Sequence, residues 1–170
     1  MELTQDKQLE GEMAETTKTA ETVTSEWVEK FRGRWWAAWN SHQTERMLEL
    51  MTEDIVWDDS GWPRTMRGHA EAREYLDFMW RAFPDITFEP ERPLIRVDGS
   101  GAAYPWRGRG TNTGPLDPPG MPATGKTLEW EGADFHDEYR DGKVARLRII
   151  FDMSDSWRQL GLLSGGDSAG

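Results

Sequence analysis

The stretch "LEWEGADFHDEYRDGKVARLRIIFD", Leu128 to Asp152, constrains the fold more than any other part of the chain. It reads as two strands joined by a tight turn, and successive side chains of a strand point to opposite sides of a sheet. One parity carries Glu129 and Glu131, then Arg146 and Arg148; the upstream run "AAYPWRGRGTNTG" puts Arg107 and Arg109 on the same side. With the glutamate strand in the middle of three, these residues predict an exposed ladder of alternating charge that holds one register. The other parity carries Tyr104, Trp106, Leu128, Trp130, Leu147, Ile149 and Phe151, and with them Asp134 and His136. That face is the inner one. Burial perturbs the ionisation of any carboxylate or imidazole placed there, so Asp134 and His136 are candidates for acid–base chemistry. Pairing with an arginine near the strand end is the competing explanation.

Upstream, "SEWVEKFRGRWWAAWNSH" repeats Val28, Phe31, Trp35 and Trp39 at helical spacing behind a Ser25 cap, with Trp39 turned to the pocket. A short helix over "TERMLELMTED" and a strand at "IVWDD" follow. A third helix over "HAEAREYLDFMWRAFPD" presents Ala72, Tyr75, Leu76, Met79 and Phe83 and stops before Pro84. "ITFEPERPLIRV" reads as a strand, and "SDSWRQLGLL" as a closing helical turn. Helices first and a meander afterwards is an α+β pattern. We expect residues 1–22 to be a disordered acidic tail, 23–163 one domain, and 164–170 a flexible tail, because neither end has enough apolar residues to offset chain entropy.

In "WDDSGWP", Asp59 stands where a strand runs into a loop, a usual place for a general base; a turn in which an aspartate bonds its own backbone accounts for one of the pair Asp58 and Asp59 equally well. Ten tryptophans supply either core packing or an aromatic-lined cavity. A formal charge of −11 without a basic cluster argues against nucleic acid. No apolar run approaches the roughly 18 residues of a membrane span, and the N-terminus does not read as a signal peptide, which fits a cytoplasmic protein. The chain has no cysteine, and three scattered histidines make no metal motif. "GRGTNTG" does not open a helix and makes a poor phosphate loop.

The segments "GTNTGPLDPPGMPATGK", "DGKVARLRIIFD", "RQLG" and "AWNSHQTERMLELMTEDIVW" resemble the SnoaL-like polyketide cyclases of the nuclear transport factor 2-like superfamily, over roughly Trp27 to Leu163. The resemblance implies a cone-shaped α+β barrel, a curved and mostly antiparallel sheet wrapped by three N-terminal helices around one deep pocket. It also implies a homodimer without metal or cofactor, acting on a hydrophobic polycyclic or aromatic small molecule. The family's inner-strand histidine falls on His136, and Asp59 resembles the proton-abstracting aspartate of the ketosteroid isomerases. The cyclases' last-strand aspartate falls on Ile149, and the histidine of a "GTHTG"-like segment on Asn112. Catalytic candidates are therefore His136, Asp59 and Asp134. Candidate substrate-binding residues are Trp39, Trp57, Tyr75, Met79, Trp106, Asn112, Trp130 and Ile149. A non-catalytic binding module and a plain dimerisation domain are the alternative functions.

Overall fold

A computed structural model describes residues 21–91, 94–97 and 99–163, with the backbone alone for 95–97. Most of the expected N-terminal tail and all of the C-terminal one lie outside the described residues.

Helix α1 (Ser25–Trp39) is capped by Thr24, one residue before the expected Ser25: the Thr24 hydroxyl accepts the Trp27 N–H at 3.2 Å. Helix α2 (Thr44–Leu48) leads into β1 (Met51–Asp59), which is longer than the predicted strand and buries Ile55, Trp57 and Asp59 in alternation. The two-residue β2 (Met66–Arg67) precedes α3 (Gly68–Ala82), whose buried stripe includes Ala72, Tyr75 and Leu76. The run expected as one strand divides into β3 (Thr87–Pro90) and β4 (Ile95–Val97); both pair antiparallel with β5 (Gly101–Thr111), at opposite ends of it. Strands β6 (Thr127–Arg140) and β7 (Lys143–Phe151) form the hairpin read from the sequence. The closing turn is a full helix, α4 (Met153–Leu160), started by the Asp152 side chain and ended by Gly161 in the left-handed conformation.

The sheet is open, in the order β2-β1-β7-β6-β5-β3 with β4 also on β5. All pairings are antiparallel except β1 with β7. Asp141 and Gly142 turn the β6–β7 hairpin at positive φ. The Glu21 carboxylate accepts both their N–H groups, and its own N–H donates to Tyr139, so the chain is already docked inside the segment expected to be a tail.

Strand β6 is the spine, as expected, and Trp130 and His136 share its buried side while Glu129 and Glu131 are exposed. The charge ladder forms only in part. Arg107 meets Glu131 at 2.9 Å and Arg109 approaches Glu129 at 3.7 Å. Arg146 and Arg148 do not join them, because β7 pairs with Gly132–Arg140 and never reaches the start of β6. Arg148 pairs with Asp137 instead, and Arg146 lies opposite Glu138. The edge left open at Glu129 is taken by α4: the Gln159 side chain accepts the Glu129 N–H at 2.9 Å and donates to its carbonyl at 2.7 Å, as a neighbouring strand would. A register shift after His136 then breaks the alternation and turns Tyr139 inward beside it.

Candidate active site

Three adjacent strands bring the acidic residues together. Asp59 on β1 pairs with Ile149 on β7, and Ile149 pairs with Asp134 on β6, so the two carboxylates flank one isoleucine on the inner wall. Strands lie about 4.8 Å apart, which sets the two backbones roughly 10 Å from one another and leaves a gap between the side chains.

Each carboxylate is held in a different way. Asp59 ends β1, where the chain turns; Oδ1 accepts the Gly61 N–H at 2.7 Å and Oδ2 accepts the Tyr75 hydroxyl at 3.0 Å. It is thus both the turn-former and the inward-facing acid, whereas Asp58 takes the Thr65 hydroxyl at 2.5 Å in a more exposed position. A side chain at position 61 would press on Phe151 at 2.9 Å, so glycine lets this turn close over the sheet. Asp134 accepts two indole N–H groups, Trp35 on Oδ2 and Trp106 on Oδ1, both at 2.7 Å. Among the described residues no arginine or lysine pairs with it, contrary to the competing structural explanation.

Burial pushes Asp59 up to about 7, against the opposing pull of the Gly61 N–H, the Tyr75 hydroxyl and, more weakly, the Trp57 indole, which lies near without reaching hydrogen-bond geometry. Burial also pushes Asp134 up to about 7, against its two indole donors, and the negative charge of Asp59 adds to the rise. Burial and both neighbouring carboxylates hold Tyr75 well above the usual phenol range, so it remains a donor. Two acids that influence one another titrate as a pair, one giving up its proton before the other.

The carboxylates line the smaller of two neighbouring chambers that share lining residues. The inner chamber, about 30 Å³, is walled by Asp59, Asp134 and Ile149 together with Trp36, Trp39, Tyr75, Met79, Trp106 and Trp130. Tyr75, Met79, Trp130 and Phe151 also border an outer chamber of about 430 Å³. That chamber is apolar: Trp62, Phe78, Phe83 and Leu128 line it, with Leu116, Pro118 and Pro119 of the loop after β5 and Met153, Trp157 and Leu160 of α4. Among the described residues, no lysine, arginine or histidine lines either chamber.

Three of the proposed site residues are elsewhere. His136 touches neither chamber. Its ring is packed among Phe31, Trp35, Tyr104 and Tyr139, Nδ1 is 2.9 Å from the Tyr139 hydroxyl, and that hydroxyl is 2.8 Å from Tyr104 Oη. Burial lowers it to about 3, so it is a neutral structural imidazole rather than an acid. The intervening Trp35, which turns its N–H to Asp134, separates the two groups that alternation had placed together. Asn112 is a loop fastener: Nδ2 donates to the Ala82 and Gly114 carbonyls, and Oδ1 accepts from the Thr124 N–H and hydroxyl. No part of its amide remains for a ligand. Trp57 lies edge-on behind Trp39 and Tyr75 and lines neither chamber. Trp35 and Trp36, by contrast, were not identified from sequence as site residues. The i, i+3 spacing of Trp36 and Trp39 carried the signal for Trp36.

A curved, open sheet closed on its concave side by helices is the cone of the nuclear transport factor 2-like proteins, and solved structures share it. TsrD from Streptomyces laurentii superposes with a TM-score of 0.69 at 21% identity, covering 83% of this chain and 99% of its own. AclR from Streptomyces galilaeus gives 0.69 at 20%, over 84% and 89%. A candidate SnoaL-like polyketide cyclase from Jannaschia sp. CCS1 gives 0.70 at 17%, over 86% and 99%. No curated protein matches the sequence. The SnoaL-like domain model matches residues 33–147, and the chain belongs to that family. Among the described residues, no helix is long and apolar enough to cross a membrane, and no group of three or more metal-binding side chains occurs.

Proposed function

We propose that the chain is a cofactor-independent acid–base enzyme acting on a hydrophobic, polycyclic or aromatic small molecule in secondary metabolism, by a cyclisation, isomerisation or dehydration. One observation carries this reading: two desolvated carboxylates, without a cationic partner among the described residues, flank Ile149 in the lining of a small cavity that adjoins a larger apolar one. Held near neutrality, one is ionised and the other protonated, so a single site contains a base and an acid. The ionised member takes a proton from carbon next to a carbonyl, and the protonated one returns a proton elsewhere on the molecule. Neighbours of the same fold include a protein described as an epoxide hydrolase/cyclase-like enzyme in pyran ring formation, which is compatible with proton-transfer chemistry. We further propose a cytoplasmic homodimer.

Ile149 between the two acids favours a second reading, a binding protein of the same fold, since it puts a hydrocarbon where the resemblance predicts the cyclases' aspartate. Ligands co-purifying with the full chain, identified by mass spectrometry and returned to it in D₂O, separate the two. An enzyme converts or deuterates the ligand, and Asp59→Asn and Asp134→Asn each lower that rate about 100-fold or more. Recovery of the ligand unchanged and undeuterated after long incubation would establish the binding reading instead.

A further inference from the structure

Two residues that line the inner chamber carry buried hydrogen-bond donors without a partner among the described residues. Trp36 and Trp39 line it beside the two aspartates, are 6% and 2% exposed, and have no acceptor for either indole N–H among the described residues. Every carboxylate oxygen, in contrast, already accepts a hydrogen bond, from Gly61 and Tyr75 on Asp59 and from Trp35 and Trp106 on Asp134. Buried donors without partners are destabilising and uncommon in native interiors, so a cavity that gathers two of them suits a ligand that supplies an acceptor. Size narrows the choice. The chamber's 30 Å³ admits about one water-sized group, while the apolar outer chamber of 430 Å³ has room for a ring system.

We propose that Trp36 and Trp39 bind an oxygen atom of the ligand, which is therefore a ring-bearing carbonyl compound that enters the inner chamber oxygen first. The proposal deepens the acid–base reading and rests on it for its chemical consequence. When an aspartate takes the proton from the adjacent carbon, the C–H electron pair becomes the new C=C bond and the carbonyl π pair moves to oxygen. The two indoles then hold the growing negative charge in a water-poor site. Neither Trp57, which lies behind the wall, nor Trp62, which lines the outer chamber, is placed for this role.

Titration calorimetry of the full chain with 1-tetralone and with tetralin, the same bicyclic frame without oxygen, tests the proposal. The expected result is a preference for the ketone of about tenfold, reduced several-fold in Trp36→Phe and in Trp39→Phe, with tetralin affinity little changed. Equal affinities, no tetralone binding, or an undiminished preference in both variants would overturn it. So would tighter binding of 1-aminotetralin, which would mean that the chamber selects a cation. If the variants do not fold, the ¹H–¹⁵N indole signals of the wild-type protein still decide. Two must move downfield with tetralone and stay in place with tetralin; if none moves, the assignment is wrong. Deuterium uptake at the tetralone α-carbon is read separately. Oxygen-selective binding without uptake removes the acid–base reading, whereas uptake without selectivity removes this one.

Discussion

Replacing Asp59 with asparagine should make the protein more stable in alkali while removing an ionisable group from the candidate active site. Burial holds this carboxyl at about 7 against an ordinary 3.8, a gap of about three pH units that is worth about 4 kcal/mol in all. The sign follows from the direction. A carboxyl raised on folding binds its proton more tightly in the native state, so its contribution is complete below about pH 4 and is lost as pH rises through about 7. Between about pH 5 and about pH 8 the wild type loses about 3 kcal/mol through this group. Asparagine cannot ionise, and it fits the same partners: its oxygen accepts the Gly61 N–H and its amide donates to the Tyr75 oxygen. The variant should therefore gain on the wild type across that interval. His136, lowered to about 3, acts in the opposite sense, stabilising above its unfolded value near 6.5 and less so as pH falls towards 3; being present in both proteins, it cancels in the difference. Asp134 is coupled to Asp59 and will titrate slightly lower once that charge is gone. Urea unfolding followed by circular dichroism at the two pH values measures the effect. A stability difference that changes by less than about 0.5 kcal/mol between them would show that Asp59 is not desolvated as described.

Asp134→Asn should behave differently. Both its oxygens accept indole N–H groups, and an amide NH₂ must confront one of those donors, leaving a buried mismatch of about 1–3 kcal/mol; in the same unfolding assay it should show less alkaline gain than Asp59→Asn. Gly132→Ala would set a methyl 2.6 Å from the Trp106 ring and 2.7 Å from the Ile150 carbonyl, too close to fit. Displacing Trp106 from Asp134 should lower the unfolding midpoint by the equivalent of about 1–3 kcal/mol, and an unchanged midpoint would contradict the packing. Tyr139→Phe removes the hydroxyl between His136 and Tyr104. Unfolding should register a loss of about 1–3 kcal/mol, with turnover of any substrate unaffected at pH 7, because this chain of groups does not reach the cavity.

Alternation along Leu128 to Phe151 determined which face of the sheet is buried, since a side-chain period of two admits no other assignment once Trp130 and Leu147 must face inward. It therefore placed Asp134 in the interior, and the strand-to-loop position of Asp59 marked the second acid. Helical spacing likewise revealed the stripes of α1 and α3. Tertiary structure decided what lies next to what. Periodicity along a strand says nothing about which strand runs beside it, so the parallel pairing of β1 with β7 that sets Asp59 and Asp134 on either side of Ile149 was not legible. Local alternation also does not register a bulge, and the shift after His136 gave that imidazole Tyr139 as its partner and a place in an aromatic box away from the cavity. Whether an inward residue meets empty space or another ring depends on packing from distant segments. Trp35 from α1 fills the space at His136, whereas Asp134, although Trp35 also donates to it, borders the inner chamber.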